Sequence, residues 1–218
     1  MIAPETNWRD ARLAVVDVET TGLNDDDRIV ELAVVIGERG VVVDTKHWLL
    51  NPGRPIPPEA TAVHRIRDVD VARAPTFAEI AVEVGEALEG AIPAAFNAPF
   101  DRKFVEREWR AASLPRAPFF LAPETQWLDP LVWARQLQKY EKGKKLGDVA
   151  RRLGIDAGEA HRATADAEAA LRVIHAFARN RNLPEAYGAL VARQVELAAA
   201  QEADFAAWKA RNPRPSAA

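Results

Sequence analysis

Asp17 and Glu19 stand two residues apart at the end of the run Leu13-Ala-Val-Val-Asp-Val-Glu19. Side chains at i and i+2 of a strand share a face, so both carboxylates point the same way. Two like charges on a half-buried face repel, and one is forced to hold a proton unless a divalent cation removes the conflict. Taken alone, two solvated acids at an exposed strand end make the same pattern. Asp101 closes Ala95-Phe-Asn-Ala-Pro-Phe-Asp101, where an expected strand passes into a helix. Asn97 can pin that turn, and Asp101 falls in the first helical turn, a place where the helix dipole favours any acid. His161 and Asp166 lie in His161-Arg-Ala-Thr-Ala-Asp166. Inside one helix, five residues would leave the two side chains about 140° apart. With Thr164 as N-cap, His161 lies on the preceding loop and folds over Asp166; a surface histidine beside a cap is the plain alternative. Four acids on three segments, each at the end of a core element, together with one histidine, describe a two-metal phosphoryl-transfer site.

The elements that must position these residues are legible in the periodicity. Leu13–Glu19, Arg28–Ile36 and Val41–Leu50 read as strands, the last two separated by Gly37-Glu-Arg-Gly40. Such a link predicts a hairpin, so the sheet opens as an antiparallel meander. Thr76 caps a helix to about Leu88, with Phe77, Ile80, Ala81, Val84 and Leu88 on one stripe. A fourth strand over Ala91–Phe96 leads into a helix from Pro99 to about Ala112, and a short fifth over Gln126–Asp129 leads into a helix from Pro130. Leu146, Val149, Ala150 and Leu153 space a small amphipathic helix, and Thr164 to about Asn180 a longer one. The class is α/β with a mixed sheet.

Composition limits what such a chain can be. The 218 residues are 48% hydrophobic and 28% charged, enough for one real core without staples. The absence of cysteine excludes disulfides, thiol catalysis and Cys-ligated metals. The first dozen residues contain no apolar run of the signal-peptide kind, and no 18-residue apolar stretch exists, so a cytoplasmic protein with no membrane span is expected. The net charge of −3 argues against a broad basic surface that coats duplex DNA. Charge is nevertheless segregated: five acids and no base between Val15 and Asp27, seven bases and two acids between Arg135 and Arg152. Arg135, Lys139, Lys142, Lys144 and Lys145 could steer phosphates toward the acids, or form a solvated face.

Val15-Val-Asp-Val-Glu-Thr-Thr-Gly-Leu23, Phe96-Asn-Ala-Pro-Phe-Asp101 and His161-Arg-Ala-Thr-Ala-Asp166 resemble, in order and spacing, the three motifs of the DEDDh (DnaQ-like) exonuclease family. The resemblance covers about residues 11–180. It implies a ribonuclease-H-like, mixed five-stranded sheet flanked by helices, with an exonuclease domain over residues 1–183. Residues 184–218 are left as an Ala-rich C-terminal helical extension with a frayed tail. It further implies that Asp17, Glu19, Asp101 and Asp166 hold two divalent cations, Mg²⁺ or Mn²⁺, with His161 as general base. Thr20, Thr21, Gly22, Leu23, Asn97 and Phe100 would line the terminal nucleotide, and His64 would contact substrate. The expected activity is 3′→5′ removal of nucleoside 5′-monophosphates from single-stranded DNA or RNA 3′ ends. Association with a DNA polymerase or sliding clamp, and a homodimer, stay open. Two departures stand out: Phe96 where many relatives carry His, and His64-Arg-Ile66 where relatives often carry His-Gly-Ile. A non-catalytic nucleic-acid-binding docking module on the same fold is the alternative, disfavoured because all five motif positions are filled.

Overall fold

A computed structural model of the chain describes residues 2–114, 118–158 and 161–212. Strands β1 (Arg12–Thr20), β2 (Ile29–Glu38) and β3 (Val41–Leu49) form the expected antiparallel meander, and β4 (Ile92–Ala94) joins β1 in parallel, giving the order β3-β2-β1-β4. The β2–β3 connection is tighter than expected. Only Arg39 and Gly40 lie between the strands, both at positive φ (49° and 85°), the conformation whose twist suits a two-residue hairpin. The expected fifth strand shrinks to one parallel bridge, Leu128 to Ala94, so the regular sheet has four strands. The Leu128 N–H donates to Pro93 O and its carbonyl accepts from the Ala95 N–H. Pairing then stops because Pro130, with no N–H to give, starts a helix two residues on.

Alternation along the strands divides the core. Ala14, Val16, Val18, Leu32, Val34 and Ile36 face one side and pack on α3 (Phe77–Leu88) and α4 (Ala98–Ala111). Leu13, Val15, Ala33 and Val35 face the other, beneath α5 (Pro130–Leu137), α6 (Leu146–Arg152), α7 (Ala163–Ala178) and α8 (Tyr187–Arg211). Thr76 is the N-cap as expected, and its N–H and hydroxyl both donate to the Glu79 carboxylate. Two short helices were not expected, α1 (Pro58–His64) and α2 (Asp68–Val71). They are too brief to show an amphipathic period, and Ile56, Ile66 and Val71 close a small cluster of their own.

The start of α8 packs into the second core layer. Tyr187, Leu190 and Leu197 are buried with Trp8 and Trp133, whose rings lie 5.3 Å apart. The Trp8 indole N–H donates to Pro184 O, and the Tyr187 hydroxyl to Gln126 O. Residues 202–211 of this helix are exposed, as is Asn212 just beyond it. The tail expected to fray lies, from residue 213 on, outside the described residues.

Gly37 shows how closely α7 sits on β2: a Cβ there would come within 2.5 Å of both Leu171 methyls. Gly37→Ala should therefore destabilise the fold by about 1–3 kcal/mol through overpacking. In urea denaturation the Gly37→Ala/Leu171→Ala double variant should cost less than the two single changes added together. Strict additivity would mean the clash is relieved elsewhere.

Candidate active site

Asp17 and Glu19 continue the inward row that begins with Leu13 and Val15, so the strand runs from core directly into an acidic pair facing α7. Asp101 approaches from the edge. β4 pairs with β1 only as far as Ala94 opposite Val15, leaving the N–H of Val18 without a strand partner. Asp101, in the first turn of α4, fills that gap: its Oδ1 accepts the Val18 N–H at 3.1 Å. The turn that brings it there is made by Asn97, left-handed at φ 76°, whose N–H donates to the Asp129 carboxylate.

Asp166 arrives on α7. The N-cap falls two residues earlier than expected: it is Arg162, not Thr164, and it offers no side-chain capping bond. His161 consequently lies outside the helix, as the spacing required, in the left-handed region at φ 64°. Holding a non-glycine residue there costs about 1–3 kcal/mol, which the surrounding contacts must offset. One of them is the bond from the His161 N–H to Asp166 Oδ2, at 2.9 Å. Glu19, His161 and Asp166 each present a donor atom within 4.8 Å of the other two, a spacing that one cation can bridge.

Electrostatics mark the same place. Burial, then the neighbouring charges of Asp101, Asp166, Glu19 and Glu31, hold the Asp17 carboxyl well above the usual range. Glu19 is pushed up to about 7, by burial first and then by Asp166 and Glu31. Asp101 and Asp166 are raised too, chiefly by burial. Four carboxyls that all resist ionisation in each other's company suit a bound cation, because their repulsion is what it would relieve.

The residues implied for substrate divide into two groups. Thr20, Thr21 and Gly22 serve the loop itself. Thr20 Oγ1 donates to Gly22 O, Thr21 Oγ1 donates to Asp27 Oδ1, and a Cβ on Gly22 would meet Asp27 Oδ2 at 2.5 Å. His64 is buried, with Nδ1 accepting the Ile66 N–H, and burial lowers its pKa. Arg65 adopts the left-handed φ of 64° that a glycine would take freely. Leu23, Asn97 and Phe100 remain accessible, Leu23 most of all at 76% exposure, with Phe100 leaning on Phe104.

A cleft of about 300 Å³ opens beside the acids, lined by Asp17, His161 and Asp166 on one side and Lys145, Asp148 and Arg151 on the other. Of the basic stretch, Lys145 reaches this lining. Lys144 donates to Gln138 O and Glu141 O and so builds its own loop. Glu31 and Asp129 are buried acids that motif reading passed over. Glu31 was detectable as the one charge inside the apolar run Ile29–Ile36.

The sequence matches the RNase T exonuclease family over residues 14–174. The chain belongs to that exonuclease family. It is 38% identical over 183 residues to a DNA polymerase III subunit epsilon-like protein of Rhodobacter capsulatus, covering 79% of this chain but 25% of that protein. It is 31% identical to an uncharacterized exonuclease, CP81, of Escherichia phage 186, covering 79% of this chain and 91% of the phage protein. Among solved structures, Exonuclease X in complex with 5′ overhanging duplex DNA superposes with a TM-score of 0.64 at 26% identity, over 81% of this chain and 97% of that one. The fold is thus that of the ribonuclease-H-like DEDDh exonucleases, and residues 14–174 form an exonuclease domain. No helix among the described residues is long and apolar enough to cross a membrane.

A pH dependence follows from the raised carboxyls. Between the ordinary Glu value of 4.5 and the folded value of about 7, the folded exonuclease holds more protons at Glu19 than the unfolded chain does. Stability of the metal-free protein should therefore fall as pH rises through that window. A cation that replaces those protons should raise Tm more at pH of about 7.5 than at about 5.5. Thermal shift with Mn²⁺ at both pH values checks this; equal gains would contradict it.

Proposed function

We propose that this exonuclease is a metal-dependent 3′→5′ enzyme that trims single-stranded DNA or RNA ends and releases nucleoside 5′-monophosphates. The observation that carries this reading is the convergence of Asp17, Glu19, Asp101 and Asp166, each held above the ordinary carboxylate range by burial and neighbouring charge, beside an exposed histidine. Asp17, Glu19, Asp101 and Asp166 would hold two divalent cations, Mg²⁺ or Mn²⁺. When bound, these supply Lewis acidity and neutralise charge at the scissile phosphate.

The chain's own groups do the remaining work. A neutral His161 imidazole accepts a proton from the attacking water as its oxygen bonds to phosphorus. The bond from phosphorus to the 3′ oxygen of the penultimate nucleotide breaks, and that oxygen takes a proton from solvent. Leu23, Asn97 and Phe100 present two apolar surfaces and one amide at the accessible rim, suited to a terminal base and sugar. His161 also belongs to the three-residue donor set with Glu19 and Asp166, which favours a second reading of it as a cation ligand.

The deciding experiment is a time course on 3′- and 5′-labelled DNA and RNA oligonucleotides, single- and double-stranded, with and without EDTA. Successive shortening from the 3′ end with 5′-mononucleotide release is expected. It should vanish with EDTA and in folded Asp17→Ala and Asp166→Ala. Robust cleavage by either variant would sink the carboxylate assignment. His161→Ala should lose about 10²–10⁴ in kcat with metal affinity nearly unchanged, and His161→Gln should be similarly poor. A large drop in metal affinity instead selects the ligand role, and near-native kcat for His161→Gln removes the base.

Lys145 and Lys144 make a matched pair for the substrate path. Lys145→Gln should raise KM on oligonucleotides and reduce the salt slope by about one unit. Lys144→Gln should leave that slope unchanged and lower Tm. The reverse ranking would mean that the cleft lining is not the phosphate track.

A further inference from the structure

Glu31 is 1% exposed on β2, directly across the β1–β2 ladder from Glu19. A buried carboxylate is costly unless its lone pairs are satisfied, and those of Glu31 are taken by groups from two other elements. Oε1 accepts from Arg162 at 3.0 Å and lies 2.7 Å from His47 Nε2 on β3. Oε2 accepts the N–H of Ala163, the first residue of α7, at 3.2 Å.

These partners fix an unusual helix start. The first N–H groups of a helix are ordinarily met by a Ser, Thr, Asp or Asn at the N-cap itself. Here the N-cap is Arg162, which caps nothing, and the acceptor comes from a strand of the sheet. A negative charge at that end also complements the helix dipole. The start of α7 is thereby registered against β2, the strand that pairs with the Glu19-bearing β1. His161 precedes this anchored pair directly, left-handed, with its own N–H on Asp166.

We infer that Glu31 is a positioning residue: through Arg162 and the Ala163 N–H it clamps the His161 loop to the sheet and holds that histidine beside Glu19 and Asp166. The inference rests on the proposed role of His161 only for its kinetic consequence; the clamp itself is a statement about the loop.

The test is a double-mutant cycle with hydrogen exchange alongside. Glu31→Gln keeps the shape but turns one acceptor into a donor facing Arg162 or Ala163. It should lower kcat about 10–100-fold, the usual effect of losing such a supporting contact, with KM within about twofold. In a His161→Ala background the same change should alter kcat less than about twofold, because there is no histidine left to misplace. The His161 amide, which bonds to Asp166 and not to Glu31, should exchange at least about tenfold faster in Glu31→Gln. Amides of the β2 core such as Val34 should keep their protection.

Equal cost in both backgrounds, or unchanged exchange at His161, overturns the inference. If His161→Ala itself keeps native kcat, the proposed base falls, and exchange at the His161 amide alone decides whether the clamp exists. Should Glu31→Gln fail to fold, Arg162→Gln removes one arm of the clamp and leaves the Ala163 bond. It should shift kcat and exchange in the same direction by a smaller factor, and no shift in either overturns the inference.

Discussion

Repulsion among carboxylates drawn partly out of water is the constraint around which this exonuclease is arranged. Asp17, Glu19, Asp101 and Asp166 each sit where burial alone disfavours ionisation, and each makes the next harder to ionise. Such a cluster persists only if the scaffold supplies more free energy than the crowding removes. Both core layers meet on β1, the strand that carries the first two acids, and its apolar residues from Leu13 to Val18 are fully or almost fully buried.

The scaffold concentrates charge by ending things early. β4 gives out opposite Val15, so a backbone N–H of the central strand is left for Asp101. The Leu128 bridge gives out before Pro130, so Asp129 turns its carboxylate back to the N–H groups of Asn97 and Leu131. α7 begins with an uncapped arginine, so its first N–H looks to Glu31. In each case a hydrogen-bonding group left over by regular structure is met by an acid, and the acids collect at one end of the sheet.

The meander, the Thr76 cap, the stripe of α3 and the acid-bearing end of β1 were all legible in the sequence, because each rests on a local period or a short-range bond. The convergence of Asp17, Glu19, Asp101 and Asp166 was legible only through motif order, since nothing local to Asp101 says that it will meet Val18. What escaped reading was non-local. The fifth strand looked like its neighbours, yet its length was set by a proline and by how far β4 extends. Thr164 has the chemistry of a cap, but the N–H of Ala163 is met by a glutamate 132 positions before it. Arg65 stands where a glycine was the easier choice, and the chain adopts the left-handed turn regardless. Lys144 and Lys145 are adjacent and identical in type, and only the folded loop separates the one that builds it from the one that faces the cleft.

The long α8 has a practical meaning for anyone who would attach something to this enzyme. Its first turns are bolted into the core through Tyr187, Leu190, Gln194 and Leu197, whereas residues 202–212 are bathed in solvent. At about 1.5 Å per residue, its helical part to Arg211 is a boom roughly 15 Å long. A dye, a surface tether or a fused reporter mounted near Arg211 would ride on that boom. It would report the orientation of the whole catalytic body, because the rod carrying it shares a hydrophobic core with the sheet.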